Sequence, residues 1–173
     1  ALRNPIKSKS LKDIVKNNDK VAIIFSDITR ATPYHIILPA LLGELQNIPR
    51  ENICFFCANG THRPATEPEL IKILGENIVK NYSIVQNDAN NSELHEYVGT
   101  TTSGNEVFIN RKILNCNIKI LTGFIEPHFF AGFSGGGKAL IPGMASVKTI
   151  KFNHSISHLS LENVKWGITY GNP

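Results

Sequence analysis

A chain of 173 residues, 42% hydrophobic and 18% charged, is of one-domain size and has enough apolar side chains for a real core, which excludes an intrinsically disordered segment. Its formal net charge of +4 is mild, and Lys and Arg are scattered without a basic helix face, so nucleic acid is not an expected partner. The longest apolar runs, such as residues 36–42, are far too short to span a bilayer, and no signal segment opens the chain, so no membrane partner and a cytoplasmic location are expected.

In chain order, residues 20–26 (KVAIIFS) read as a buried strand. Thr32-Pro33 reads as a helix start, with Thr as cap and Pro in the first turn, and the helix runs to about Gln46 with Pro39 kinking or restarting it. Residues 53–58 (ICFFCA) form a second strand. Cys54 and Cys57 make a C-x-x-C there, but side chains three apart in a strand point to opposite faces, so core cysteines are expected and not a redox or zinc pair. Three cysteines do not suggest a disulfide scaffold. Thr66-x-x-Glu69 is a capping box for a second helix that Gly75 terminates. A third strand covers 82–86, and Ser92 caps a short helix. Residues 100–110, with Ser103-Gly104 at their centre, alternate as a β-hairpin at a sheet edge. A fourth strand covers 118–124 (IKILTGF), and Ser146 caps a helix over 147–154.

The order strand, helix, strand, with no internal repeat, predicts an α/β fold: an open, mainly parallel, Rossmann-like sheet flanked by helices and decorated by a β-hairpin. The chain begins Ala-Leu-Arg-Asn-Pro without Met and stops at Gly171-Asn172-Pro173, so a fragment of a longer protein is expected.

Ligands of such sheets bind beyond the carboxyl ends of the strands. Polar clusters fall there: Ser26-Asp27-Ile28-Thr29-Arg30, Asn59-Gly60-Thr61-His62-Arg63 and Glu126-Pro127-His128. Asp27 and Arg30 read either as a local ion pair or as a loop whose arginine binds a carboxylate. His62 and His128, on different loops, read either as surface residues or as an acid/base pair working near neutral pH. The stretch EPHFFAGFSGGGKALIPG contains, from Gly132 to Lys138, the outline G-x-x-x-x-G-K of a P-loop. Ala139 stands where that motif needs Ser or Thr for Mg²⁺, and the preceding strand ends too early. A glycine nest for some other phosphate, with Lys138 as cation or nucleophile, fits better, and a flexible hinge is the remaining alternative. His154 and His158, four apart, read as half of a zinc site on one helix face or as a surface pair.

The motifs SDITR, NGTHRP, TGFIEPHFFAGFSGGGKALIPG and FNHS, in this order, resemble the lactate racemase family of nickel-pincer enzymes in its N-terminal domain. The resemblance covers essentially the whole chain, residues 1–173, and implies a two-domain protein whose C-terminal domain lies outside it. It implies a nickel-pincer nucleotide, a pyridinium-3,5-bisthiocarboxylate mononucleotide carrying Ni, attached covalently through Lys138 with His154 as the protein's metal ligand. His62 and His128 match the acid/base histidines. Asp27, Thr29, Arg30, Gly135 and Gly136 fall at cofactor-binding positions, with Arg30 also at the substrate. The implied reaction is racemisation or epimerisation of a small 2-hydroxy acid by proton-coupled hydride transfer to and from the pyridinium, with cofactor-synthesis proteins as partners. Gly137 departs from the family's usual Arg, and Ala31 from its usual Pro. A P-loop-like nucleotide-binding module and a non-catalytic domain of the same fold are the alternatives.

Overall fold

Each face of one central strand feeds a separate hydrophobic core. The computed structural model describes residues 2–172. A single helical turn, α1 (Leu11–Ile14), precedes β1 (Val21–Ser26), whose first five residues are fully buried. Then come α2 (Tyr34–Glu44), β2 (Ile53–Ala58), α3 (Glu67–Leu74), α4 (Glu76–Asn81) and β3 (Ser83–Gln86). A hairpin, β4 (His95–Thr100) and β5 (Glu106–Asn110), leads through α5 (Arg111–Leu114) to β6 (Ile118–Leu121). The two-residue strands β7 (Pro127–His128) and β8 (Gly132–Phe133) precede α6 (Val147–Asn153) and α7 (Ile156–Leu159).

The main sheet has the order β3-β2-β1-β6 with every pairing parallel. This is the open α/β sheet expected of alternating strands and helices. The chain runs outward from β1 through β2 to β3, then returns to pair β6 on the other side of β1. The strand order therefore reverses between β1 and β6, and a cleft opens at their carboxyl ends. Alternation along β1 sends Val21, Ile23 and Phe25 to one face, where Tyr34, Leu38, Leu41, Phe55, Leu74 and Ile78 cover them. Ala22 and Ile24 face the other way, against Phe56, Val107, Ile109, Ile113, Met144 and Ile150. Cys57 belongs to the first core and Cys54 packs against the second, as expected of residues three apart. Burial pushes their thiols up, to about 12 for Cys57 and about 11 for Cys54.

Local structure departs from the sequence expectation at several ends. Among the described residues Thr32 does not cap α2: Pro33 takes the cap position and the Thr32 hydroxyl is buried without a partner. The start is fixed instead by Tyr34, whose hydroxyl accepts from Ser26 N at 2.6 Å. Pro39 lies inside α2 without ending it, because Pro39 and His35 are exposed and the carbonyl that loses its donor can turn to water. The capping box of Thr66 and Glu69 is present, and Gly75 closes α3 at φ 89°. Gly75 also opens α4 directly, a helix that the sequence reading omits. Asn91, and not Ser92, caps the turn after β3 by accepting from Glu93 N. The hairpin begins earlier than residue 100. It does not extend an edge of the main sheet but lies over the second face, where Val107 and Ile109 join that core. β6 stops at Leu121, three residues short of Phe124.

Candidate active site

The loop after β1 carries a carboxylate that is 6% exposed, Asp27. Its Oδ1 accepts from Thr29 N at 2.9 Å and Thr29 Oγ1 at 2.5 Å, while Oδ2 meets His62 Nδ1. Burial pushes this carboxyl up, but the hydrogen bonds from Thr29 and His62 outweigh it and leave Asp27 below the usual carboxylate range. The local ion pair between Asp27 and Arg30 does not form. Arg30 Nη1 instead donates to Glu126 Oε1 at 2.9 Å, so the arginine is held from the loop after β6 and keeps donors to spare for a second carboxylate.

His62 rides on a tight turn after β2. Asn59, 2% exposed, donates from Nδ2 to Arg63 O at 3.0 Å and His62 N donates to Asn59 O at 2.9 Å, which closes the turn. Gly60 takes φ 56°, and its N–H reaches Gly143 O at 3.0 Å, tying this turn to the end of the glycine-rich stretch.

The loop after β6 is organised by Ser134. Its hydroxyl donates to Phe124 O at 2.6 Å and accepts from Glu126 N at 3.0 Å, and its own N–H donates to Glu126 O at 2.8 Å. The small β7–β8 ladder then presents His128, whose Nδ1 accepts from Ala131 N at 3.3 Å. Phe130 stands between two imidazoles, edge to face with His128 at 4.6 Å and with His154 at 4.8 Å. Burial, followed by the Lys138 charge and then that of Arg30, holds His128 below the ordinary imidazole range.

The glycine-rich stretch is not a P-loop. Gly132 and Phe133 belong to β8, and residues Gly136–Ala139 form one turn of 3₁₀-helix instead of opening an α-helix. Gly135 and Gly136 have φ 80° and 52°, so the backbone turns through conformations that favour glycine. Burial first and the Arg30 charge second hold Lys138 below the ordinary lysine range. Ser146 caps α6 by accepting from Thr149 N. His154 is the residue that closes α6, and His158 lies on the separate helix α7, so the two imidazoles do not share a helix face. His154 Nδ1 donates to Ile150 O at 3.1 Å, and Nε2 has no hydrogen-bond partner among the described residues, the pattern of an imidazole able to act as a ligand. Burial also lowers the affinity of this ring for protons.

These loops surround a cavity of about 250 Å³ lined by Asp27, Arg30, His62, His128, Lys138 and His154 among others. A second space of about 600 Å³ shares Lys138 and His154 with it and reaches the hairpin tip at Thr101 and Ser103; His158 lines only this one. Of the expected residues, Thr29 lies behind the cavity wall as a donor to Asp27. Gly135 lines both spaces. Sequence reasoning placed Asn59, Phe130 and Ser134 inside candidate segments but gave none of them a role. Ser134, inside GFSGGG, offered the only signal, since a small hydroxyl among glycines commonly ties a loop to itself. Among the described residues no group of three or more His, Cys, Asp or Glu side chains is placed to hold a metal ion.

Residues 1–167 match the family model described as the lactate racemase N-terminal domain. The chain is 40% identical over 174 residues to the lactate racemase of Thermoanaerobacterium thermosaccharolyticum, covering 100% of this chain and 41% of that protein. It is 40% identical over 168 residues to the lactate racemase of Lactiplantibacillus plantarum, covering 96% of this chain and 40% of that protein. The chain thus spans about two fifths of the length of these relatives. It superposes on the lactate racemase apoprotein structure from T. thermosaccharolyticum with a TM-score of 0.95, covering 100% of this chain and 42% of that one at 40% identity. A crystal structure of a Thermotoga maritima protein matches with a TM-score of 0.67 and 26% identity, covering 82% of this chain and 37% of that one.

Proposed function

Because this chain belongs to the lactate racemase family through its N-terminal domain, we propose that it forms the acid/base and cofactor-binding part of a racemase or epimerase for a small 2-hydroxy acid such as lactate. The observation that carries this reading is one cavity in which His62 and His128, delivered by loops after different strands, stand with Arg30, Lys138 and His154.

The residues fit the nickel-pincer nucleotide. Lys138 is a half-buried amine with depressed basicity, suited to amide formation with a thio-acyl arm. His154 offers a free Nε2 as a single imidazole donor, which suits a square-planar metal whose other donors belong to the organic group. Gly135, which lines both spaces, would offer its backbone to a nucleotide phosphate, whereas Gly136 lines neither. When bound, that cofactor supplies the hydride acceptor and donor.

The chain's own side chains do the rest. Arg30, steadied by Glu126, takes the substrate carboxylate. His62 accepts the hydroxyl proton at Nε2 as the α-hydrogen leaves. His128, once its Nδ1 bond to Ala131 N–H has opened and the ring is protonated on both nitrogens, returns a proton from Nε2 after the planar keto acid has turned over, so the two faces of the carbon are served by different loops. Phe130 keeps the His128 and His154 rings apart, so the proton carrier does not compete for the metal.

Intact-mass spectrometry of the full-length protein, produced together with cofactor-synthesis proteins, tests the reading. The expected result is a covalent adduct on Lys138 and interconversion of D- and L-lactate or a related acid. Lys138→Ala and Lys138→Arg should both lack the adduct, since guanidinium keeps the charge but is a poor nucleophile. Tight ATP binding without an adduct would overturn the proposal in favour of a nucleotide-binding module, and neither adduct nor ATP binding in favour of a non-catalytic domain.

A further inference from the structure

The two histidines of the cavity are not equivalent, because their Nδ1 atoms face groups of opposite character. His62 Nδ1 meets a carboxylate oxygen, Asp27 Oδ2, whereas His128 Nδ1 meets a backbone donor, Ala131 N–H. We propose that Asp27 is the positioning residue of His62, holding its neutral ring in the Nδ1–H tautomer so that the Nε2 lone pair is always turned to the substrate, while His128 rests in the opposite tautomer. The consequence for turnover rests on the acid/base reading above; the tautomers themselves do not.

The argument is one of donors and acceptors. The Asp27 carboxyl is 6% exposed and both of its oxygens are engaged. Oδ1 already accepts two hydrogens from Thr29, and a carboxylate has none to give, so the proton shared with His62 belongs on the imidazole. A neutral imidazole with Nδ1 protonated carries its lone pair on Nε2. At His128 the same rule runs the other way. Ala131 N–H occupies the Nδ1 lone pair, so the neutral ring keeps its hydrogen on Nε2 and can neither accept nor release a proton there until that bond opens. His62 is therefore ready for proton acceptance at rest, and His128 is not.

The arrangement makes Asp27→Asn a sharp probe. Thr29 presents two donors to the Oδ1 position, so the amide oxygen of an asparagine must settle there. Its NH₂ group is then left at the Oδ2 position, pointing a donor at His62 Nδ1. The substitution is isosteric, yet it forces His62 into the Nε2–H tautomer and removes the base. The analogous loss of tautomer control in other carboxylate–histidine pairs costs about 10⁴-fold in turnover.

The test is nitrogen NMR on full-length apoprotein labelled with ¹⁵N-histidine, recorded at alkaline pH where imidazoles are neutral and assigned with a His62→Gln variant. The expected spectrum shows a protonated, pyrrole-type Nδ1 and a pyridine-type Nε2 for His62, with the reverse pattern after Asp27→Asn. Asp27→Ala, which offers neither atom, should give a mixture. A wild-type His62 with its hydrogen on Nε2, or an Asp27→Asn spectrum unchanged from wild type, overturns the proposal. In the cofactor-loaded enzyme Asp27→Asn should lower kcat about 10³- to 10⁴-fold with a much smaller change in KM; an inverted tautomer with undiminished kcat would remove Asp27 from catalysis. Expected tautomers in a protein that racemises nothing would overturn the reading of function and support the positioning of His62.

Discussion

Phe130 sets an apolar ring against both His128 and His154. His154 gives its Nδ1 hydrogen to Ile150 O, and its Nε2 has no hydrogen-bond partner among the described residues, while His158 sits on another helix beside Phe152. His154→Ala should therefore strip nickel from the loaded protein far more than His158→Ala, as read by metal analysis after gel filtration. Equal losses would mean that the two imidazoles bind metal together. The depressed proton affinity of His128 has its own signature. Its folded-state pKa lies below the unfolded value, so the unfolded chain binds more protons as pH falls through the ordinary imidazole range. Melting temperature of the apoprotein should fall on going from pH 7 to pH 5, and His128→Gln should flatten that slope. Asp27, whose pKa is lowered, works in a separate window: its stabilisation is present above the ordinary Asp range and is lost only as pH drops below it. The cavity's residues were legible in the motifs, but their partners were not. Asp27 and Arg30 lie three apart and invite a local pairing, whereas each in fact finds its partner on a different strand's loop. Such choices depend on which strands are neighbours, which local spacing does not encode.

Among the elements, the stretch from Gly132 to Gly143 shows why glycines recur without a P-loop. A Cβ added at Gly143 would lie 2.2 Å from Ala139 O and 2.6 Å from Ala58 Cβ, both on firmly held backbone. Gly143→Ala should destabilise the fold by about 1–3 kcal/mol, the usual cost of overpacking, and should loosen the Gly60 contact that steadies the His62 turn. At Gly137 nothing lies within 4 Å, so Gly137→Ala should leave denaturant stability nearly unchanged. The same open space accommodates the larger side chain that family resemblance leads one to expect there. Urea melts of the two variants decide the contrast, and equal stability would show that the loop gives way at Gly143. Strands β1 and β2 and the capping box of α3 were readable because burial and caps write themselves into short windows. The break between α6 and α7 was not, because His154 and Ser155 end one helix and begin another without glycine or proline. The hairpin's true place, over a sheet face, came from contacts between Val107 and Ile109 and the distant β1.

At the scale of the molecule, the sheet supports a cleft but covers little of it. Ile125 and Phe129, on the loop that bears His128, are 74% and 71% exposed. On the proposed function hydride chemistry needs water kept out, and among the described residues Arg30 is the one arginine lining the cavity, which would leave a substrate carboxylate loosely held. This 173-residue chain, loaded with authentic cofactor, should fold yet show turnover far below that of the full-length protein. A lactate interconversion assay of both, side by side, measures the difference; equal rates would mean that the site is complete here.

The register of the sheet also implies an order of events in time. Val21 pairs with Ile53 on one side and with Ile118 on the other, about three times as far along the chain. Closing the longer loop costs about 1 kcal/mol more, so β1 and β2 have a head start while β6 waits on the slowest closure of the sheet. The cleft lies between β1 and β6. On a ribosome, the half that bears Asp27 and His62 emerges and pairs before the half that bears His128 and Lys138 has been synthesised. Under the proposed function, attachment of a cofactor at Lys138 would have to wait for a late-forming seam, and a nascent chain stalled before β6 would have a well-formed strand pair without the loop that bears Lys138.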